Sequence, residues 1–444
     1  MEKIEAKRKL MELADSLLAQ AKAKGVTSAE VSASLSTGLS AQVRMQEVDT
    51  VEFNRDQGLS ITVYYDHCKG SASTSDISPK ALTATLDAAC EIAKITASDP
   101  YAGLPDVDEL AMEYPDCDVH HPWDINAEEA IEMAMECERL ALARDSRLTN
   151  SEGANVSTHD SSIILANSLG FRGAYAATRH SISCTLIATK GESMERDYYY
   201  TTARRVDRLE SPQQVAEQAA ERTLRRLGAR HLSTQQVPVV FAPDVATGLI
   251  GHFLGAIRGS NLYRKSSFLL DSIGQTVFPR FMTIEEHPHL PSELGSSPFD
   301  GDGVRTRDNI FVKDGVLESY LLSTYSARRL ALKNTGNGGG IHNCRLTTSD
   351  DDQAGLLKKM DKGLLVTELM GPGVNITTGD YSRGAFGFWV ENGVIQYPVH
   401  EITIAGRLPD MFKNIVAVGN DIDRRGNIHT GSILIESMTV AGSQ

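Results

Sequence analysis

No stretch of the 444 residues is apolar for long enough to span a membrane. No two cysteines have CxxC spacing. The six, at 68, 90, 117, 137, 184 and 344, are scattered, which points to reduced and mostly buried thiols and not to a disulfide framework. Positive charge is scarce: 44 Lys and Arg stand against 58 Asp and Glu, a formal net charge of −14. Such a surface repels a phosphate backbone, so nucleic acid is not an expected partner. The opening MEKIEAKRKLMELADSLLAQAKAKG has no uninterrupted apolar core behind its basic residues. It is therefore not read as a signal peptide, and a cytoplasmic location is expected. No sustained internal repeat is visible.

What is present is an ordinary globular balance, 41% hydrophobic and 23% charged. The chain is too long for one compact core, so two domains are expected, 1–232 and 233–444, with the change of character near 230–236. Residues 3–24 read as an amphipathic helix ending at Gly25. The alternating runs EVSASLSTGLSAQVRM, VDTVEFN and GLSITVYYDHCKGSASTS, separated by polar turns, predict an antiparallel meander. Helices are predicted over 78–96, over 126–144 with Asn126 as N-cap, and over 211–227 with Ser211 as N-cap and Pro212 in first position. The Pro- and Asp-rich segment 98–123 reads as a long surface connection. Alternation returns over 147–203, as strands extending the first sheet. In the C-terminal half, Asp314-Gly315 and Asn392-Gly393 mark two type I′ hairpins, and GSILIESMTV is a further strand. Strands arrive in runs, not in βαβ alternation, so the fold class is α+β, each half mainly antiparallel sheet with packed helices.

One segment raises a chemical question. Residues 245–257, VATGLIGHFLGAI, follow the buried-strand pattern VPVVFAP, with Asp244 a plausible N-cap. Val245, Leu249, Ile250, Phe253, Leu254 and Ile257 share one apolar face, and His252 lies off its centre. A lone histidine there reads first as a packing residue at a helix edge. Three other constellations carry candidate chemistry. IEEHPHL (284–290) offers two carboxylates with His287 and His289, against the plainer reading of a proline-broken, solvated loop. GGGIHNC (338–344) pairs His342 with Cys344, but shows no third partner or oxyanion site, so a tight glycine turn is the better reading. GDYSRGAFGFWVENG places Tyr381, Ser382 and Arg383 on a glycine-flanked loop that suits peptide or subunit contact, or a structural turn. In SMERDYYYTTARR, alternation sends Tyr198 and Tyr200 to one face of a strand and Tyr199 to the other. The pair would line a groove or interface, or simply pack across strands.

The stretches VEFNRDQGLSITVYY, KGSASTSD, ERDYYYT, VATGLIGHFLGAIRGSNLYRKSSFLLDSIG, TIEEHPHL, GGGIHN, VTELMGPGV, GDYSRGAFGFWVENGVIQYPVHEITIAG and VGNDI run along nearly the whole chain. On them the sequence resembles the TldE/PmbA side of the TldD/PmbA (TldD/TldE) metallopeptidase family. In the TldD side of that family this helix carries HExxxH, two zinc-binding histidines and a glutamate base, with a cysteine near the C-terminus as a further ligand. The resemblance sets TGLIGH (247–252) over that motif. Thr247 falls on the first histidine, Gly248 on the glutamate, and His252 alone is retained; no cysteine follows Cys344.

A catalytic zinc needs three protein ligands and an open position for a water that a base can deprotonate. One imidazole supplies neither, so no catalytic and no metal residue is expected in this chain, and the zinc is expected in a TldD-like partner. The resemblance further implies a heteromeric complex acting on unfolded or modified peptides, including peptide-antibiotic precursors and antitoxins. Pairing of isolated chains with themselves stays open. The rival expectations are an independent metallopeptidase with a non-standard site, and a peptide-binding or regulatory module with no protease.

Overall fold

The alternating runs of the first 203 residues assemble into one antiparallel sheet. The computed structural model describes residues 2–442, with side chains described from Lys7 onward. After α1 (Glu2–Ala23) come β1 (Ser28–Arg44), β2 (Glu47–Tyr65) and β3 (Cys68–Thr74). Helices α2 (Pro79–Ile95) and α3 (Ala127–Leu142) follow, then β4 (Leu148–Asn167), β5 (Arg172–Lys190), β6 (Ser193–Ala203) and α4 (Pro212–Leu224). The sheet order is β3-β2-β1-β4-β5-β6, so β4–β6 do extend the first meander.

The odd-numbered residues of β1 point to one face throughout. Val31 and Ala33 pack with α1 and α2, while Leu39, Ala41 and Val43 pack with α3 and α4. The N-caps Asn126 and Ser211 each form a reciprocal capping box, with Glu129 and Gln214, and Pro212 occupies the first turn as expected.

Two sequence expectations fail here. The polar NRDQ does not end a strand: β2 runs on through residues 47–57, every one exposed, because it pairs with β1 on one side only and polar residues suit that open position. Residues 98–123 are not a mere surface connection. Leu104, Leu110, Ala111, Cys117 and Val119 are buried, and the Ala111 N–H donates to the Gly303 carbonyl of the C-terminal half at 3.0 Å.

The C-terminal half begins with β7 (Gln235–Phe241) and α5 (Pro243–Ala256), then α6 (Gly259–Tyr263), β8 (Ile284–His287), β9 (Asn309–Lys313), β10 (Val316–Leu317) and α7 (Thr324–Leu330). It continues through β11 (Asn343–Leu346), α8 (Gln353–Met360), β12 (Gly363–Met370), β13 (Asp380–Glu391) and β14 (Val394–Arg407). It ends with α9 (Leu408–Lys413), β15 (Ile415–Val418), β16 (Ile428–His429) and β17 (Ile433–Gly442). One sheet has the order β14-β13-β12-β7-β17-β15, and a further β14–β17 pairing closes five of its strands on themselves. The other sheet is β10-β9-β8-β11-β16. Pairing is mainly antiparallel, with β7–β12 and β11–β16 parallel. Both predicted hairpins turn at their Asx-Gly pairs with positive φ at each residue: Asp314 50°, Gly315 80°, Asn392 54° and Gly393 70°. The fold is a mixed α+β architecture. Among the described residues no helix is long and apolar enough to cross a membrane.

Candidate functional site

Buried strand β7 delivers the chain directly into α5: Val239, Val240 and Phe241 are fully buried, and Pro243 takes the first helical position. Ala242 is the N-cap and makes no side-chain cap, so Asp244 does not fill that role. Its Oδ2 instead accepts from both terminal nitrogens of Arg222 on α4, at 3.0 Å each. Leu249, Ile250 and Phe253 carry the apolar face, with Phe253 edge-on to Phe278 at 4.9 Å.

The other face of α5 floors a cleft with two lobes of about 410 and 300 Å³. Both lobes are lined by Tyr198, Arg222, Asp244, Thr247 and Gly248. Tyr200, Asp423 and Arg425 enter the first lobe, and Glu368 and Arg383 the second. The structure thus brings three separately singled-out stretches, those of Tyr198, Thr247 and Arg383, to one place. Tyr198 and Tyr200 stack at 6.3 Å on the face alternation assigned them, while Tyr199 turns to the other side and donates its hydroxyl to Glu210 at 2.8 Å. Arg425 lies over the Tyr200 ring at 4.7 Å and pairs with Asp423 at 2.8 Å. The cleft carries arginines and carboxylates in alternation, with an aromatic wall.

The positions of the degenerate motif are chemically quiet. The Thr247 hydroxyl donates back to the Asp244 carbonyl at 2.8 Å. Gly248 leaves open space: a Cβ built there meets nothing within 4 Å. His252 is half-buried beside Tyr381, their rings 6.1 Å apart and edge to face, and neither its Nε2 nor the Tyr381 hydroxyl has a hydrogen-bond partner. Burial, and secondarily the Arg383 charge, pull the His252 pKa below its ordinary value. Burial pushes the Tyr381 phenol up to about 12.

These residues do not fit a catalytic zinc. His252 belongs to no group of three potential ligands among the described residues, and its charged neighbour is a guanidinium, which disfavours a second cation.

The expected contact loop is different in kind. Tyr381, Ser382 and Arg383 lie within strand β13, not on a loop, because Asp380–Arg383 pair with Ile404–Arg407 of β14. Tyr381 is 2% exposed and packs in the core, so it presents no contact surface; Ser382 is exposed, and Arg383 reaches the second lobe while donating from Nε to the Gly371 carbonyl at 3.0 Å.

IEEHPHL also departs from expectation. Its first half is strand β8, and Glu286 is 0% exposed. That carboxylate accepts from Asn309 at 2.6 Å, Asn337 at 2.7 Å, and the His342 backbone N–H and Nδ1 at 2.7 and 2.8 Å. Its buried charge is matched by four donors, which is why it need not be solvated. His287 pairs with Glu285 and Asp308, and His289 with Thr306, so the two histidines do not converge on one point. His342 serves Glu286 and not Cys344, whose thiol is fully buried and pushed far up by burial. The sequence reading missed Arg222, Asp423 and Arg425 as cleft residues. No local pattern marks them, since each is placed by tertiary packing.

Family models described as PmbA/TldA metallopeptidase domain 1, central domain and C-terminal domain match residues 29–93, 120–227 and 234–442. The chain is 52% identical to "Metalloprotease PmbA" of Escherichia coli O157:H7, covering 99% of this chain and 98% of that one. It is 48% identical to a "Metalloprotease PmbA homolog" of Haemophilus influenzae over 95% and 93% of the two chains. Among solved structures, a Bacteroides thetaiotaomicron protein described as a candidate modulator of DNA gyrase superposes with TM-score 0.92 at 28% identity, over 97% of this chain and 98% of that one. TldE from Thermococcus kodakarensis shares the fold with TM-score 0.85 at 19% identity, over 97% and 100%. With three family domains matched in order and half of all positions identical to a relative along its full length, the chain belongs to the PmbA/TldD metallopeptidase family, as a PmbA/TldE-type member.

Proposed function

We propose that this chain is the non-catalytic subunit of a TldD/TldE-type zinc metallopeptidase complex that cleaves unfolded or modified peptides, among them peptide-antibiotic precursors and antitoxins, in the cytoplasm. One observation carries the reading: a cleft lies over α5, and the groups at the positions that would hold and serve a metal there are Thr247, Gly248 and a single imidazole. Hydrolysis of an amide at neutral pH needs an activated water and a stabiliser for the developing oxyanion. Here neither Thr247 nor Gly248 supplies a base. In this reading the partner holds the zinc, and this chain shapes the passage leading to it.

Tyr198, Tyr200 and the alternating Arg and Asp side chains suit an extended peptide, because an aromatic wall accepts varied side chains and the charged groups pair with the peptide's polar and charged side chains. The open edge of β2 over residues 47–57 is a second place where an extended chain could add as a strand. Backbone N-methylation of the peptide separates the two modes: it blocks strand addition and leaves side-chain contacts in place.

The test of the whole reading is reconstitution. The purified chain is assayed for chelator-sensitive peptide cleavage alone and after mixing with a TldD-like chain. Cleavage only in the mixture supports a non-catalytic subunit. Chelator-sensitive cleavage by the lone chain establishes an independent peptidase, and tight peptide binding without any co-purifying protease establishes a binding module.

A further inference from the structure

We propose that His231, His400 and Glu401 form a divalent-metal site, separate from the α5 cleft, that clamps the segment between α4 and β7 onto strand β14. One ring nitrogen of each histidine and one carboxylate oxygen of Glu401 all lie within 4.8 Å of one another. His231 Nδ1 is already 3.7 Å from Glu401 Oε2, and the two imidazoles face each other with centroids 4.8 Å apart. A tetrahedral zinc with ligand bonds of about 2.0–2.1 Å sets its donors about 3.4 Å apart. Small rotations of these accessible side chains close the remaining distance.

The backbone builds this juxtaposition. Successive residues of a strand ordinarily point to opposite faces. His400 and Glu401 escape that rule because Glu401 has φ of +51° and the β13–β14 register slips beside it, between Ala385 and Gly387. A non-glycine residue held in the left-handed region carries strain, and such strain marks positions where the direction of a side chain matters. The third ligand is brought in by the connecting segment. Arg230 donates its N–H to the Pro398 carbonyl at 2.9 Å and accepts from the His400 N–H at 3.3 Å, with its guanidinium over the Tyr397 ring at 4.5 Å. On the other side of His231, Leu232 is buried in the core. Its carbonyl lies so close to Gly442 that a Cβ there would collide with it. Both neighbours of His231 are thus fixed, so little ordering remains for metal binding to impose.

Two neutral imidazoles and a carboxylate suit zinc or another borderline divalent ion, and a fourth position stays open to solvent. The site lies on β14 and the connecting segment, whereas among the described residues no group of three potential ligands includes His252. Zinc carried by this chain would therefore be structural, joining an element of the connecting segment to the closed sheet, and a metal count on the complex would exceed the catalytic ion.

The experiment titrates the full-length chain, stripped with a chelator, with Zn²⁺ and with Co²⁺. Zinc is read by equilibrium dialysis and elemental analysis, cobalt by its ligand-field spectrum, and stability by the thermal midpoint. One ion per chain is expected, with a raised midpoint. His400→Ala and Glu401→Gln should each weaken binding by roughly tenfold or more, since even outer-sphere partners of a metal are worth about 10–100-fold. His252→Gln should leave it unchanged. Binding that survives both His231→Ala and His400→Ala, binding abolished by His252→Gln, or only weak and non-stoichiometric uptake would each overturn the proposal. The variants' native thermal midpoints without metal show whether they are folded. The readout is metal binding, so failure of the subunit reading above leaves the result interpretable.

Discussion

Arg222 grips Asp244 through both terminal guanidinium nitrogens, each 3.0 Å from Oδ2, and so ties helix α4 of the N-terminal half to the first turn of α5. The carboxylate also lies where the positive end of the α5 dipole favours it. Arg222 sits 3.6 Å from Asp197 as well, and both partners of the grip are largely buried, their side chains 16% and 26% exposed. Asp244→Asn removes the charge but keeps the shape. It should cost about 1–3 kcal/mol, more than a surface pair and less than a fully sealed one. Urea unfolding measures this; a change under about 0.3 kcal/mol would show that the grip does not hold the two helices together.

His252 packs and does not catalyse in the reading argued above, so His252→Gln should leave the activity of a reconstituted complex within about twofold, with assembly intact by gel filtration. The converse substitution is informative. Gly248 has room for a side chain, so Thr247→His with Gly248→Glu should fold. It should still give no cleavage by the lone chain, because no late cysteine ligand exists and Arg383 places a positive charge beside the site. A large loss on His252→Gln with the complex assembled would place that imidazole in the chemistry.

Glu30 lies on β1, where the sheet face meets a cavity of about 770 Å³ that Tyr64, Lys69 and Asp302 also line. Burial, then the nearby Asp302 charge, raises its pKa from 4.5 to about 8. The sign follows from proton linkage. The folded state holds a proton on Glu30 that the unfolded chain gives up near pH 4.5. The stability from this group is therefore fully present below pH 4.5 and is lost as pH rises to about 8. Glu30→Gln should flatten the pH dependence of the thermal midpoint across that window and raise the midpoint at pH 8–9 relative to the unsubstituted chain. An unchanged slope would mean that Glu30 is solvated in solution.

Much of this architecture can be read from local patterns, and the parts that cannot share a cause. Asn126, Ser211 and the two Asx-Gly hairpins act within a few residues, so their geometry is written in adjacent positions. Alternation places Tyr198 and Tyr200 correctly because a strand has a fixed period of two. NRDQ looks like a turn because polar residues mark both turns and open strand edges. GDYSRG looks like a loop because its glycines suggest one, whereas Gly384 lies inside β13 opposite Thr403 of β14. Farther along the strand Gly387 serves close approach, since a Cβ there would strike the Leu365 carbonyl. Asp244 looks like a cap until Arg222, 22 residues away in sequence, claims it. Long-range polar pairing is what local pattern does not carry.

The six cysteines are free, and five of them are buried. Only Cys68 is partly exposed. Burial pushes the Cys117 thiol up to about 11 and raises Cys344 further, so both stay protonated and unreactive at neutral pH. Titration of the native protein with a thiol-specific reagent should give one fast-reacting group, lost in Cys68→Ser, and all six after denaturation. Fast labelling of a second thiol would show that one of the buried positions opens.

Glu286 offers the sharpest stability test, because its fully buried carboxylate is held by four donors from three residues, Asn309, Asn337 and His342. Asn309 opens strand β9 beside Glu286, and Asn337 and His342 lie in the segment preceding β11, so the carboxylate fastens that irregular stretch of backbone to the β8–β9 pair. Glu286→Ala strands several buried N–H groups at once and should cost about 3–5 kcal/mol, the range for breaking a buried charged network from one side. Glu286→Gln keeps the volume but turns half of the acceptor into a donor facing other donors, so it should cost less than the alanine and still more than about 1 kcal/mol. Chemical denaturation of both variants orders the three proteins. If the glutamine protein equals or exceeds the stability of the parent, the hydrogen-bond network around this side chain is arranged differently from the one described.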